Sequence, residues 1–140
     1  MEYRLDGYCG LYCGACPMML ETKAGKASEE CHGCKSEQAA GHCQVCDIKA
    51  CASQKGFEFC YECSEMEICT YLQSFIVDER YPYHQAVYKN FNTIKKVGVH
   101  QWLDLQKVRW QCPNCGSPFS WWDETCPHCA KPVKNYKADL

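Results

Sequence analysis

The 140-residue chain carries 15 bases against 17 acids, a formal net charge of -2, and 15 cysteines. Acidity argues against a general nucleic-acid binder, whose non-specific affinity comes from neutralising phosphates. No apolar run approaches the roughly 20 residues needed to cross a bilayer, so no membrane partner is expected. Residues 1–70 hold 6 bases and 11 acids and residues 71–140 hold 9 bases and 6 acids, a weak basic bias in the second half. Ligating thiols are thiolates, so three zinc ions with four cysteines each would take the chain to about -8.

Twelve cysteines form six Cys-x-x-Cys pairs: Cys13/Cys16, Cys31/Cys34, Cys43/Cys46, Cys60/Cys63, Cys112/Cys115 and Cys126/Cys129. Two thiolates on one tight turn face a single ion, and two such turns complete a tetrahedral site. A disulfide framework fits less well. The start, Met-Glu-Tyr-Arg-Leu-Asp, has no basic stretch followed by an apolar run, and the cysteine count is odd. A cytoplasmic protein with reduced thiols is expected. Thioredoxin-type chemistry would need a βαβ setting that the sequence does not suggest.

In chain order, the first expected helix follows Cys16: Pro17 suits a first helical position, Gly25 a stop, and Met18, Met19 and Leu20 supply packing. A second helix is expected over 65–77, opened by a Ser64/Glu67 capping box, with Ile68, Tyr71, Leu72, Phe75 and Ile76 facing inward and Cys69 aboard. Pro82 then opens a helix with a Val87, Phe91 and Ile94 stripe, ended by Gly98 after Lys95 and Lys96. A further helix covers roughly 100–109, with Trp102, Leu103 and Leu105 apolar. These helices make a small three-helix core. Tyr81, Tyr83 and His84 read as half-buried packing with wet polar tips. The pattern predicts a small metal-stabilised α+β fold. Its parts are a loop-rich cysteine module over 1–70, a helical connector over 71–110, a zinc-ribbon β-hairpin over 111–134 and a frayed tail over 135–140.

The strongest motif is Cys112-Pro-Asn-Cys115-Gly116 with Cys126-Pro-His-Cys129. It reads as a zinc ribbon in which Gly116 permits positive φ and four thiolates leave no open coordination position. Residues 117–124 suit a short hairpin. Of Trp121 and Trp122, adjacent on a strand, one must point outward. His128 reads as a surface residue, and His32 and His42 as exposed loop residues.

The N-terminal wiring is open. One grouping joins Cys13/Cys16 with Cys31/Cys34 and Cys46/Cys51 with Cys60/Cys63, stranding Cys9, Cys43 and Cys69. Another uses ten cysteines as a binuclear six-thiolate site plus a four-thiolate site. Cys9-x3-Cys13-x2-Cys16 also has the three-cysteine spacing of radical enzymes that use S-adenosylmethionine, but the chain is short for their barrel scaffold. Cys16-Pro17 resembles the Cys-Pro of ferredoxin-type motifs.

Cys9-Gly-Leu-Tyr-Cys13-Gly-Ala-Cys16-Pro, Cys31-His-Gly-Cys34-Lys-Ser, Cys46-Asp-Ile-Lys-Ala-Cys51-Ala and Phe59-Cys60-Tyr-Glu-Cys63, followed by Cys69, resemble the cysteine-rich prokaryotic family DUF3795, a domain of unknown function. The likeness extends through Tyr81-Pro-Tyr-His84, the 97–102 stretch and an appended ribbon from Trp110. It implies a metal-binding protein, with zinc the expected metal, and assigns no substrate. The family pattern covers ten N-terminal cysteines; Cys43 and His32 depart from it.

The expected metal ligands are therefore Cys9, Cys13, Cys16, Cys31, Cys34, Cys46, Cys51, Cys60, Cys63, Cys69, Cys112, Cys115, Cys126 and Cys129, holding about three zinc ions. No coherent set of acid, base and nucleophile stands out. The expected role is a non-enzymatic scaffold with a protein partner. Alternatives are an iron-sulfur cluster in residues 9–69 for electron transfer or redox sensing, nucleic-acid binding through Trp121, Trp122, Lys107, Arg109 and Lys131, and metal storage through spare thiols such as Cys43.

Overall fold

A computed structural model describes residues 2–140. It is mostly helical: α1 (Pro17–Lys23), α2 (Gly41–Gln44), α3 (Asp47–Gln54), α4 (Thr70–Ile76), α5 (Val87–Val97) and α6 (Val99–Arg109). Among the described residues, β pairing is limited to isolated antiparallel bridges at Asp6–Tyr12, Gln111–Pro118 and Thr125–Pro132. This corrects the α+β expectation. The hairpin expected over 117–124 is replaced by irregular chain because its backbone groups bond elsewhere. Trp121 N–H donates to the Ala15 carbonyl (3.2 Å), Phe119 N–H to Trp110 (3.1 Å), and the Trp121 carbonyl accepts from Tyr136 (2.9 Å).

Helix α1 begins at Pro17 as expected, with Cys16 extended at its N-cap and Met19 buried. Helix α4 is shorter than its apolar pattern implied. Cys69 adopts φ -69° and ψ 114°, outside helical geometry, so a separate 3-10 turn at Met66–Ile68 precedes a helix that starts at Thr70. Ser64 therefore caps nothing, and Ile68 and Tyr71 lie 73% and 51% exposed while Leu72 is buried. A 3-10 turn at Pro82–Ala86 leads into α5, whose Val87, Phe91 and Ile94 are all buried. Gly98, at φ 87° and ψ 161°, ends α5 and caps α6 in one residue. Trp102 is fully enclosed; Leu105, expected inside, is half exposed.

The core is shared along the chain. Tyr12, Ala15, Ile48, Phe59, Leu72, Phe91, Trp102, Trp110, Phe119 and Trp121 belong to one buried cluster. Phe91 packs on Tyr61 (5.5 Å) and Phe59 (6.5 Å), and Asn90 Nδ2 donates to the Gly10 carbonyl (2.8 Å), which docks α5 on the first cysteine loop. His84 is buried rather than wet. It stacks on Phe75 (3.6 Å between centroids) and its Nδ1–H donates to the Phe75 carbonyl (2.8 Å). The end of the chain is held, not frayed: Arg109 Nε lies 3.0 Å from Asp139, and its guanidinium donates to the carbonyls of Lys134 and Asn135.

Candidate metal centre

The segment after α6 is two copies of one turn. Gln111-Cys-Pro-Asn-Cys-Gly-Ser-Pro118 recurs fourteen residues later as Thr125-Cys-Pro-His-Cys-Ala-Lys-Pro132. Each copy is closed by an antiparallel bridge between its first and last residues. In each, the amide after the second cysteine donates to the carbonyl of the first (Gly116 to Cys112, 2.8 Å; Ala130 to Cys126, 3.0 Å). Gly116 has φ 77° and Ala130 φ 64°, so the second copy places an alanine where the first has glycine. The cysteine spacing was legible in the sequence. The wider repeat was missed, although the flanking Pro118 and Pro132 carried its signal.

The two turns face each other. Cys112 Sγ lies 3.6 Å from Cys129 Sγ, and Cys115 Sγ lies 3.6 Å from Cys126 Sγ. A tetrahedral zinc with bonds of about 2.3 Å places its sulfurs about 3.8 Å apart, so the four are spaced for a single ion. Among the described residues, this is the one group of three or more cysteine, histidine or acidic side chains whose ligand atoms all lie within 4.8 Å of one another. The turns split their thiols: against the amides of Cys129 and His128, burial and the hydrogen bonds shared with Cys115 and Cys129 push Cys126 up to about 11, while two others are lowered. The Lys131 amide and the Asn114 side chain draw the Cys129 thiol down to about 6, and the Ser117 hydroxyl and amide lower Cys115. His128 N–H points at Cys126 Sγ (3.4 Å) while its ring is exposed, as expected.

The N-terminal thiols gather in two neighbourhoods. In the first, the Cys31–Cys34 turn is tied to the chain start: Arg4 N–H donates to the His32 carbonyl (2.7 Å), and a side chain at Gly33 would collide with the Arg4 carbonyl. Cys13 is fixed by its own amide bond to Leu5 (2.7 Å). Cys13 and Cys34 therefore meet. The shared hydrogen bond raises Cys13 and, with the Tyr8 amide, Lys35 and Lys49, lowers Cys34 to about 7 against its burial. Burial, then the charge of Cys34, raises Cys9. Burial, then Cys34, Cys31, Cys16 and Cys46, pushes Cys43 up to about 12, so Cys43 sits among these thiols although the family pattern omits it.

The second neighbourhood brings Cys51, Cys60, Cys63 and Cys69 to the wall of one cavity. One of the two sequence groupings joins Cys46, rather than Cys69, to Cys51, Cys60 and Cys63; the ten-cysteine grouping does not choose between them. Cys69 stands at the cavity wall, where the chain leaves helical geometry, whereas Cys46 does not line the cavity and lies between the two sets, its charge acting on Cys9 and Cys43 and also on Cys60. His42 is exposed, but His32, expected on the surface, is buried. It stacks on Tyr3 (4.3 Å), its Nε2 is 3.3 Å from Glu30, and its Nδ1 has no hydrogen-bond partner among the described residues.

Fold and site define a small, mostly helical protein organised around clustered thiols, one set of which is shaped to hold a metal ion. Residues 5–74, half of the chain, match the family model described as "Protein of unknown function (DUF3795)", and the chain belongs to that family. The match ends before Tyr81–His84 and before both C-terminal turns, so the likeness expected there lies outside it. No curated protein and no solved structure matches the chain. No helix of the described residues is long and apolar enough to cross a membrane.

Proposed function

We propose that Cys112, Cys115, Cys126 and Cys129 hold one structural zinc ion as a zinc ribbon, and that the protein is a non-enzymatic scaffold presenting a surface to another protein. The observation that carries the metal reading is the pair of 3.6 Å sulfur contacts across two facing turns. Four protein sulfurs fill the tetrahedron and leave no position for a substrate or a water, which suits a structural ion. All-thiolate donors select zinc or iron over harder ions. Such thiols stay reduced in the cytoplasm. Trp122, 43% exposed beside Tyr136 and Tyr83, offers the partner an aromatic contact.

Nucleic-acid binding at the same end is less well supported. Arg109, one of the bases that motivated it, is occupied by Asp139, two backbone carbonyls and the Trp110 ring (4.0 Å). Elemental analysis should find zinc that a Cys112→Ser, Cys129→Ser variant lacks, and chelation should lower Tm by at least about 10 °C. A variant that keeps its zinc and its Tm would overturn the reading.

A further inference from the structure

Cys51 from α3, Cys60 and Cys63 from the turn before it meets α4, and Cys69 at the N-cap of α4 line a cavity of about 290 Å³. They converge differently from the C-terminal four. Among the described residues, no three of them lie within 4.8 Å of one another, the condition that the C-terminal set meets. A single zinc would pull its sulfurs to about 3.8 Å and leave no cavity between them. These four instead line the wall of one space. The remaining wall is largely apolar, with Ile48, Ala52 and Leu72 buried and Ile68 and Tyr71 at the solvent side. One cation and one acid attend it: Lys55 Nζ is 3.8 Å from Cys63 Sγ, and Glu65 lines the same wall and acts on Lys55.

We propose that this cavity is the seat of a four-iron, four-sulfur cluster, with Cys51, Cys60, Cys63 and Cys69 each bound to a different iron. A polynuclear cluster needs ligands set apart because each sulfur meets its own metal, and it fills the volume that a lone ion leaves empty. The four thiols bind as thiolates and release four protons to solvent. With a cluster core of +2, the cluster and its thiolates carry -2, with Lys55 and Glu65, of opposite sign to each other, beside them. Reduction adds one electron and takes the site to -3. Cys69 is essential to the arrangement, and it is held there by the break between the 3-10 turn and α4.

The test is anaerobic purification of the full chain, followed by iron, sulfide and zinc analysis and visible and electron paramagnetic resonance spectra before and after dithionite. The expected result is about four irons and four sulfides per chain, broad visible absorption that bleaches on reduction, and zinc besides. A Cys63→Ser, Cys69→Ser variant should lose at least nine-tenths of the iron and keep its zinc; a Cys115→Ser, Cys129→Ser variant should do the reverse. A colourless, iron-free wild type overturns the assignment, as does iron retained by the first variant. Should that variant fail to fold, Cys69→Asp keeps a ligating atom and must shift the resonance of the reduced cluster. An unchanged spectrum sinks the proposal while leaving the zinc reading untouched.

Discussion

Ala130 is the one non-glycine residue at positive φ among the described residues, and its turn partner Gly116 shows what the position prefers. An L-residue in left-handed geometry is destabilised by roughly 1–2 kcal/mol, partly offset by the greater chain entropy glycine loses on folding. Ala130→Gly should therefore stabilise the metal-loaded protein by about 0.5–1 kcal/mol, and Gly116→Ala should destabilise it by a similar amount; denaturant titration of both variants checks the pair. Equal shifts in the same direction would refute the repeat argument. His84 gives a second residue-scale prediction. Burial lowers it to about 4, against support from the Phe75 carbonyl and Asp78. The unfolded chain then binds more protons between about pH 6.5 and 4, so stability falls as pH drops through that window, by an amount of the order of 2 kcal/mol, and levels off below it. A ring-proton titration by NMR should place the midpoint near 4; a midpoint at the ordinary histidine value would show the ring to be solvated.

Two helices turn on one glycine. At Gly98 the backbone lies where side-chain-bearing residues are rarely found, yet a Cβ there would meet no atom within 4 Å. The cost of Gly98→Ala is thus conformational rather than steric: about 1–3 kcal/mol, read as a lowered denaturation midpoint with unchanged metal content. A neutral substitution would mean that the α5–α6 corner tolerates another geometry. The α5 stripe and the Gly98 stop were legible in the sequence, because helical periodicity and a glycine after two lysines are local signals. The boundary of α4 was not. Ile68 and Tyr71 fit a helical pattern with Leu72, but Cys69 is extended where it lines the cavity, and tertiary placement outweighs the propensity of the flanking residues.

Across the whole molecule, the buried cluster draws on the cysteine loops, the central helices and the C-terminal turns together. Trp121 is the link: its amide bonds to Ala15 and its ring stacks on Tyr83 at 4.0 Å. Removing the ion proposed for the C-terminal turns should therefore disturb more than residues 111–134. Near-ultraviolet circular dichroism, which reports the packed Trp102, Trp110 and Trp121, should lose intensity on chelation, and amide exchange should quicken in α5 as well as in the turns. Exchange confined to the turns would show them to be independent of the core.

The density and pairing of the cysteines, the helical stripe of α5 and each Cys-Pro-x-Cys turn by itself were fixed locally and could be read from the chain alone, because each depends on residues a few positions apart. Which thiols share a space could not. Cys13 meets Cys34 through the Arg4 backbone, Cys69 reaches the cavity that Cys51 lines, and the expected hairpin gives its bonds to Ala15 and Tyr136, all through contacts between residues distant in sequence that spacing does not encode.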